Sequence, residues 1–317
     1  MRLDGIICMR RDGMNAIQRS WYVLRLRVHF IDLRGDAYQD FFHNVMGRRY
    51  PNDFIPTRPW GNLGDRKNDG YLKSKRILYQ VYGPDDVKLS DTIDKIDEDF
   101  NGALPYWKDH FDGWTFVHNA RRALASDVVK HLMELEQKHA PLTVRQWGYP
   151  ELRHEVLQLK DEDLIDLLGA PVDEEVISRV RMEDLQPVLV ELAKSEPPLE
   201  GDIRPVSGKK LKWNQLSPDA EGMLVLGMRR AALVKKFFDE WPDPTIGDRV
   251  AAGFKAQYRK LRDANAAPDD ILAELQMYAD GGVRGHPRRQ GAVLAVLAHL
   301  FESCDIFEEL PESVAMA

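Results

Sequence analysis

The sequence predicts an α/β domain with a small mixed sheet flanked by helices, followed by an all-helical domain. The first prediction rests on residues 21–170, where short apolar runs typical of strands alternate with amphipathic helical patterns. The second rests on residues 215–310, where the apolar stripes keep helical spacing throughout. Residues 1–20 are predicted to be a disordered lead-in, and residues 171–214 a helical connector and linker. A length of 317 residues fits two domains.

The α/β domain is predicted to begin with a strand, or with an ordered lead-in, followed by a helix. Between Trp21 and Phe30, apolar residues alternate with Arg25, Arg27 and His29, which is the period of a strand. Residues 36–50 follow a helical period instead. The apolar positions of this helix are Tyr38, Phe41, Phe42, Val45 and Met46.

Residues 54–82 are predicted to form three short strands. A strand over 54–58 precedes a turn-rich loop, a strand at Tyr71-Leu72 and a turn over 73–76. A β-favouring run then begins at Ile77 and stops at Gly83-Pro84. Side chains alternate along a strand. Leu78, Gln80 and Tyr82 are therefore expected on one face of the last strand.

Helices and strands continue to alternate after this hairpin. Residues 85–100 predict a helix with a strongly acidic outer face, which is typical of a solvated surface. The remaining predicted elements are strands over 113–119 and 142–147 and helices over 126–138, 151–159, 161–168 and 173–180.

Charge and composition exclude several classes of protein. The formal net charge of −7 excludes an overall basic field for binding nucleic acid, so such contacts need a local patch. Residues 58–76 are a candidate patch, with six basic residues against two acidic ones, although a solvated hairpin explains such a charge run as well. Two distant cysteines exclude a disulfide framework, and no apolar run reaches the ~20 residues that span a bilayer. The sequence therefore predicts a cytoplasmic protein without membrane contact.

The second domain is predicted from four helix starts. A linker over 194–202 precedes it, and helices begin at Ser217-Pro218, Thr245, Pro268 and His286-Pro287, the first running to Glu240. The sequence has no G-x-x-x-x-G-K-[ST] phosphate loop, so it does not predict a P-loop ATPase.

Residues 59–82, from Pro59-Trp60-Gly61 to Gln80-Val81-Tyr82, resemble restriction-endonuclease-like, or PD-(D/E)XK, nuclease domains. The resemblance implies that Asp69, Gln80 and Tyr82 occupy the catalytic positions, with Asp69 and Gln80 as Mg²⁺ ligands. The sequence departs from the family at two of them. Gln80 replaces an acid, and Tyr82 replaces a lysine that helps to activate water. An amide is a weaker ligand for a hard cation than a carboxylate. A phenol with a reference pKa near ~10 carries no positive charge at neutral pH.

Residues 292–308 look like the C-terminal helical domain of ABC-three component system proteins. This resemblance implies a bacterial conflict system directed against phage. In that scheme an ABC/SMC-like ATPase and a middle component are the partners of this chain, and the helical domain docks to them.

Two functions remain open at this point. The chain is either a Mg²⁺-dependent DNA endonuclease effector or a catalytically inactive nuclease-fold subunit that binds DNA or acts as an adaptor. In both cases Arg66, Lys67, Lys73 and Lys75 are the candidate nucleic-acid contacts. Gln39, Asp36 and Asp40 on the first helix are further candidates for the site, although a solvated polar face explains them as well. A purely structural interaction protein is a third class.

Overall fold

The computed structural model describes residues 14–57, 67–194, 209–280, 286–303 and 305–308. The chain divides into two compact units. One runs from His29 to Leu167 and contains the sheet. The other takes in the residues up to Val28 and those from Leu168 onward, and its described elements are helices. A mixed α/β part and a mostly helical part are therefore both present, as the sequence predicts.

The first described element is α1 (Ala16–Asp32), whose last four residues, 29–32, belong to the α/β unit. The elements that follow are α2 (Gly35–Arg49), β1 (Phe54–Pro56), β2 (Gly70–Leu72), β3 (Ile77–Tyr82), α3 (Leu89–Trp107), β4 (Gly113–His118), α4 (Ser126–Lys138), β5 (Thr143–Trp147), α5 (Tyr149–Val156) and α6 (Asp161–Leu168). A short 3-10 turn over Lys73–Lys75 joins β2 to β3.

The five strands form one mixed sheet in the order β1-β2-β3-β4-β5. The first two pairs are antiparallel, with Gly70 opposite Tyr79. The pairs β3–β4 and β4–β5 are parallel, with Leu78 opposite Trp114. Every residue of β4 is buried, as expected for a strand covered on both faces.

Different layers cover the two faces of the sheet. On one face, Leu78 and Phe116 pack with Phe100 of α3 and Leu132 of α4 in a single apolar cluster. On the other face, Tyr79 packs with other aromatic rings, with centroids 5.2–6.2 Å apart. These rings are Phe42 of α2, Phe54 of β1 and Trp147 of β5. The expected alternation of side chains along β3 is confirmed.

The helical unit is organised around its last helix. Its elements are α7 (Glu174–Ser178), α8 (Met182–Lys194), α9 (Lys209–Trp213), α10 (Pro218–Met228), α11 (Ala231–Glu240), α12 (Ile246–Asp263), α13 (Pro268–Asp280) and α14 (Pro287–Glu302). Residues 290–298 of α14 are all buried, which is the burial of a helix surrounded by others. Helices α7, α8, α10, α11 and α13 all pack against it.

The strand predicted over Trp21–Phe30 is wrong, because these residues lie in the helix α1. The alternation is misleading because Arg25 and His29 are buried as well, so the polar positions do not mark a solvent face. The disordered lead-in is wrong at its end, since the helix begins at Ala16. Residues 1–13 lie outside the part that the structure describes.

The predicted helix over 217–240 is two helices rather than one. The first ends at Met228 and the second begins at Ala231. Gly227 precedes the break, and a Cβ there would lie 2.3 Å from the carbonyl oxygen of Leu294 in α14. The remaining helix starts and all five strands are confirmed to within a few residues. The predicted linker falls almost wholly outside the described residues, except for Lys194 at the end of α8.

Candidate functional site

Three elements of the α/β unit converge on the carboxylate of Asp69. The residue directly precedes β2 and is only 4% exposed. Gln39 Nε2 of α2 donates to its Oδ1 at 2.6 Å. Gln80 Nε2 and the Val81 backbone N–H, both of β3, donate to its Oδ2 at 2.7 and 2.6 Å. The structure thus brings the predicted pair Asp69 and Gln80 into direct contact.

The backbone of Asp69 is fixed as firmly as its side chain. Its N–H donates to the Tyr79 carbonyl at 2.8 Å, and its own carbonyl accepts from the Thr57 N–H at 3.2 Å. His43 Nε2 donates to the same carbonyl at 2.5 Å. Burial lowers the pKa of His43 below its usual value, so the ring is a neutral donor at pH 7.

The residues on either side of Asp69 explain its sharp placement. Asn68 Oδ1 accepts from the Gly70 N–H at 2.9 Å, which is a local side-chain turn. A Cβ at Gly70 would lie 2.3 Å from the ring of Phe54, so only glycine fits beside this ring. Asn68 and Gly70 are therefore required by the turn and the packing, independently of what Asp69 does chemically.

A magnesium ion, which the resemblance implies at Asp69 and Gln80, does not fit this donor set. Magnesium takes oxygen ligands, and N–H donors use the same lone pairs of a carboxylate. Asp69 Oδ2 already accepts from two donors and Oδ1 from one. Gln80 turns its Nε2 toward Asp69, while its Oε1 is buried without a hydrogen-bond partner. Within the described ranges, no three His, Cys, Asp or Glu side chains are grouped as a metal site.

Tyr82 lies on the same face of β3 as Gln80, but it packs against the core. Its ring centroid is 5.7 Å from that of Phe116. Burial raises its pKa, and the negative charges of Asp91 and Asp99 raise it further. The phenol is therefore neutral at pH 7. The charges around it are negative, whereas the lysine of the nuclease family carries a positive charge.

The predicted nucleic-acid contacts that the structure describes lie before and after β2. Lys67 pairs with Glu98 and lies 3.5 Å from Asp99 Oδ1 on α3. Lys73 and Lys75 lie on the turn at the other end of β2. Hydrogen bonds from Ser74 lower the pKa of Asp53 there, and the charges of both lysines lower it further. Arg66 lies outside the described residues.

Of the three candidates on the first helix, Gln39 contacts the site through its hydrogen bond to Asp69. Asp36 is exposed to solvent, and Asp40 is half-buried. The polar period of α2 alone cannot separate these three, since they occupy neighbouring positions on one side of the helix.

The sequence analysis missed Asp99. This residue of α3 is fully buried, Lys95 Nζ donates to its Oδ1 at 2.9 Å, and burial raises its pKa. The signal was available, because Asp99 follows Ile96 by three positions and precedes Phe100 on the inward stripe of an otherwise acidic helix.

Together, fold and site define a two-unit protein with a buried Asp–Gln cluster in its α/β unit and a helical C-terminal unit. Residues 183–308 match the family model of C-terminal domain 10 of the ABC-three component (ABC-3C) systems. This match supports an ABC-three component system protein that carries a C-terminal domain of this class. Searches of curated proteins and of solved structures found no match. No helix in the described ranges is long and apolar enough to cross a membrane.

Proposed function

We propose that this chain is an accessory subunit of a bacterial ABC-three component conflict system and that its α/β unit is a catalytically inactive, nuclease-type domain serving as an adaptor. The match over residues 183–308 supports the first part. For the second part, the order of α2, three strands, α3 and β4 is the order that the resemblance to PD-(D/E)XK domains implies.

The observation that supports the adaptor role is that the carboxylate of Asp69 is already fully engaged in hydrogen bonds within the protein. Three N–H groups already use its carboxylate, and it joins α2 and β2 to β3. In this role the acid holds the sheet and the helix together. Tyr82 cannot supply the positive charge of the family's lysine, and its neighbours Asp91 and Asp99 repel a phosphate group.

The three predicted lysine contacts that the structure describes give no support to DNA binding by this unit. A DNA surface needs several basic side chains that can reach neighbouring phosphates. Lys67 is engaged by Glu98 and Asp99, whereas Lys73 and Lys75 lie at the other end of the hairpin. The partners of an adaptor would be the ABC/SMC-like ATPase and the middle component of the same system.

A metal-dependent DNA endonuclease is the second candidate, and one observation favours it. Gln80 Oε1 is buried without a hydrogen-bond partner. Oxygen and nitrogen of an amide exchange places by a half turn, which would bring Oε1 beside Asp69 Oδ2. That arrangement would place Gln80 Oε1 and Asp69 Oδ2 side by side, where a metal ion could bind both oxygens.

One assay separates the two candidates. Wild type, Asp69→Asn and Asp69→Ala are incubated with supercoiled plasmid and Mg²⁺ or Mn²⁺, each with and without the ATPase and middle component. We expect that none of the proteins cleaves the plasmid. We also expect that wild type and Asp69→Asn both co-purify with these partners. Cleavage by wild type that both variants lose would establish the endonuclease. Failure of wild type to bind either partner would refute the adaptor role.

A further inference from the structure

The imidazole of His118 lies at the end of β4, and both of its nitrogens are engaged. The side chain is buried, with 3% of its surface exposed. The Ala120 backbone N–H donates to Nδ1 at 3.2 Å, and Nε2 lies 2.7 Å from Gln146 Oε1 of β5. A backbone N–H can only donate, so Nδ1 is an acceptor. The neutral ring therefore carries its proton on Nε2, which donates to Gln146.

The ring of His118 is held in this orientation by its neighbours. A Cβ at Gly148 would lie 2.9 Å from His118 Cε1, so the ring packs directly against the backbone that follows β5. The ring of Phe116 is nearly parallel to it, with centroids 6.3 Å apart. Tyr38 Oη of α2 donates to the His118 carbonyl at 2.8 Å, which fixes the backbone as well. These contacts keep Nδ1 directed toward Ala120.

A second proton on this ring is incompatible with the bond from Ala120. An imidazolium carries N–H groups on both nitrogens, so its Nδ1–H would face the Ala120 N–H, donor against donor. Residues 119–125 connect β4 to α4 and are neither helix nor strand. Asn119 is buried and donates to the carbonyl of Pro84 at 3.1 Å, whereas residues 120–125 are half-buried or exposed. The Ala120 N–H therefore ties the partly exposed loop to the end of β4.

The groups around the ring have opposing effects on its charge. Burial lowers the pKa of His118, while the hydrogen bond to Gln146 and the negative charge of Glu151 on α5 raise it. The two arginines of the loop, Arg121 and Arg122, are exposed. Burial outweighs the other two causes, so the ring is neutral at pH 7 and takes its second proton only below the usual pKa of 6.5.

We propose that His118 is a pH-sensitive latch, whose neutral imidazole holds the loop over residues 119–125 against the end of β4 and whose protonation releases that loop. The proton comes from solvent and binds Nδ1, and the Ala120 N–H loses its acceptor. The latch is closed at neutral pH and opens as the pH falls through the pKa of the folded protein. Release changes the surface at the carboxyl end of β4 without breaking a hydrogen bond between strands.

The first test is hydrogen exchange of the full chain between pH 8 and 5, measured on a peptide that covers residues 119–125. Rates are divided by those of an unstructured peptide at each pH. We expect constant protection near neutral pH and a fall of up to about tenfold per pH unit in acid, because opening takes up one proton. His118→Asn keeps an acceptor, since Oδ1 can replace Nδ1, but it does not titrate, so its protection should stay constant. His110→Asn, at an exposed histidine before β4, is the control and should behave as wild type.

The second test reads the tautomer in wild type. Nitrogen-15 NMR of the chain with labelled histidine rings, at pH 7.5, should show His118 protonated at Nε2 and unprotonated at Nδ1. Its signals are identified by their loss in His118→Gln. A proton on Nδ1 at this pH would overturn the proposal, because that nitrogen could not accept from Ala120. Wild-type protection that does not change from pH 8 to 5 would also overturn it, as would an equal loss of protection in His118→Asn.

Discussion

Replacing Asp69 with alanine removes the acceptor of three N–H groups at once. Gln39 is half-buried and can turn its amide to water, so the cost falls mainly on Gln80 Nε2 and the Val81 N–H. A buried donor without an acceptor costs about 1–3 kcal/mol. We therefore expect the α/β unit to lose about 3 kcal/mol of unfolding free energy, which is roughly a hundredfold in its folding equilibrium.

This loss of stability can be measured locally, on strand β3. Hydrogen exchange by mass spectrometry on a peptide covering β3 should show faster exchange in Asp69→Ala, because Val81 loses its acceptor. Asp69→Asn retains an acceptor oxygen and should show a smaller effect. Asp94→Ala, on the exposed side of α3, is the control and should change stability by less than about 0.5 kcal/mol. Wild-type exchange and stability in Asp69→Ala would refute the structural role of this carboxylate.

Three further predictions concern packing and pH. Gly70→Ala places a Cβ against Phe54, so we expect urea unfolding to show that the α/β unit is destabilised by about 1–3 kcal/mol. The control is Gly47→Ala, in open space on α2, which should be neutral or stabilise by up to about 1 kcal/mol. Equal midpoints for these two variants would contradict the contact. Gly227→Ala should lower the melting temperature of the helical unit more than Gly222→Ala, whose Cβ would lie 3.5 Å from Ser20 Oγ; the reverse order would exclude the close approach of α10 and α14. Burial lowers the pKa values of His43 and His118 in the folded chain, so folding favours their neutral forms. This contribution to stability is fully present above the usual pKa of 6.5 and is lost as the pH falls through and below that value. Unfolding free energy measured from pH 8 to 5 should fall by at most about 1.4 kcal/mol per pH unit for each histidine, and His118→Gln should reduce the slope; an unchanged slope in His118→Gln would refute this assignment.

Local patterns were sufficient for most elements of the fold. The run from Ile77 to Tyr82 is bounded by turn residues, and it forms β3 over the same residues. Helix α1 could not be predicted in the same way, because Arg25 and His29 are buried by the rest of the protein and no longer mark a solvent face. A local period indicates secondary structure only where one side of the element meets water.

The candidate site was predicted only in part for a similar reason. The alternation along β3 fixed the face of Gln80, and the turn residues around Asp69 fixed the end of β2. The packing of α2 against the sheet decides which N–H groups reach the carboxylate. This packing is a tertiary contact that local sequence patterns do not predict. The pairing of Lys67 with α3 is likewise a tertiary contact.

The helical unit is assembled from two separate parts of the chain, and this affects the order of synthesis. Ser20 and Arg27 of α1 contact Asp219 of α10 and Asp270 of α13 within that unit. Asp219 lies 199 residues after Ser20 and Asp270 lies 243 residues after Arg27, whereas the α/β unit is continuous from His29 to Leu167. On the ribosome, the first turns of α1 must therefore wait for their acidic partners until most of the protein has been made. During that interval the side of α1 that packs in the helical unit lacks the elements that cover it in the folded protein.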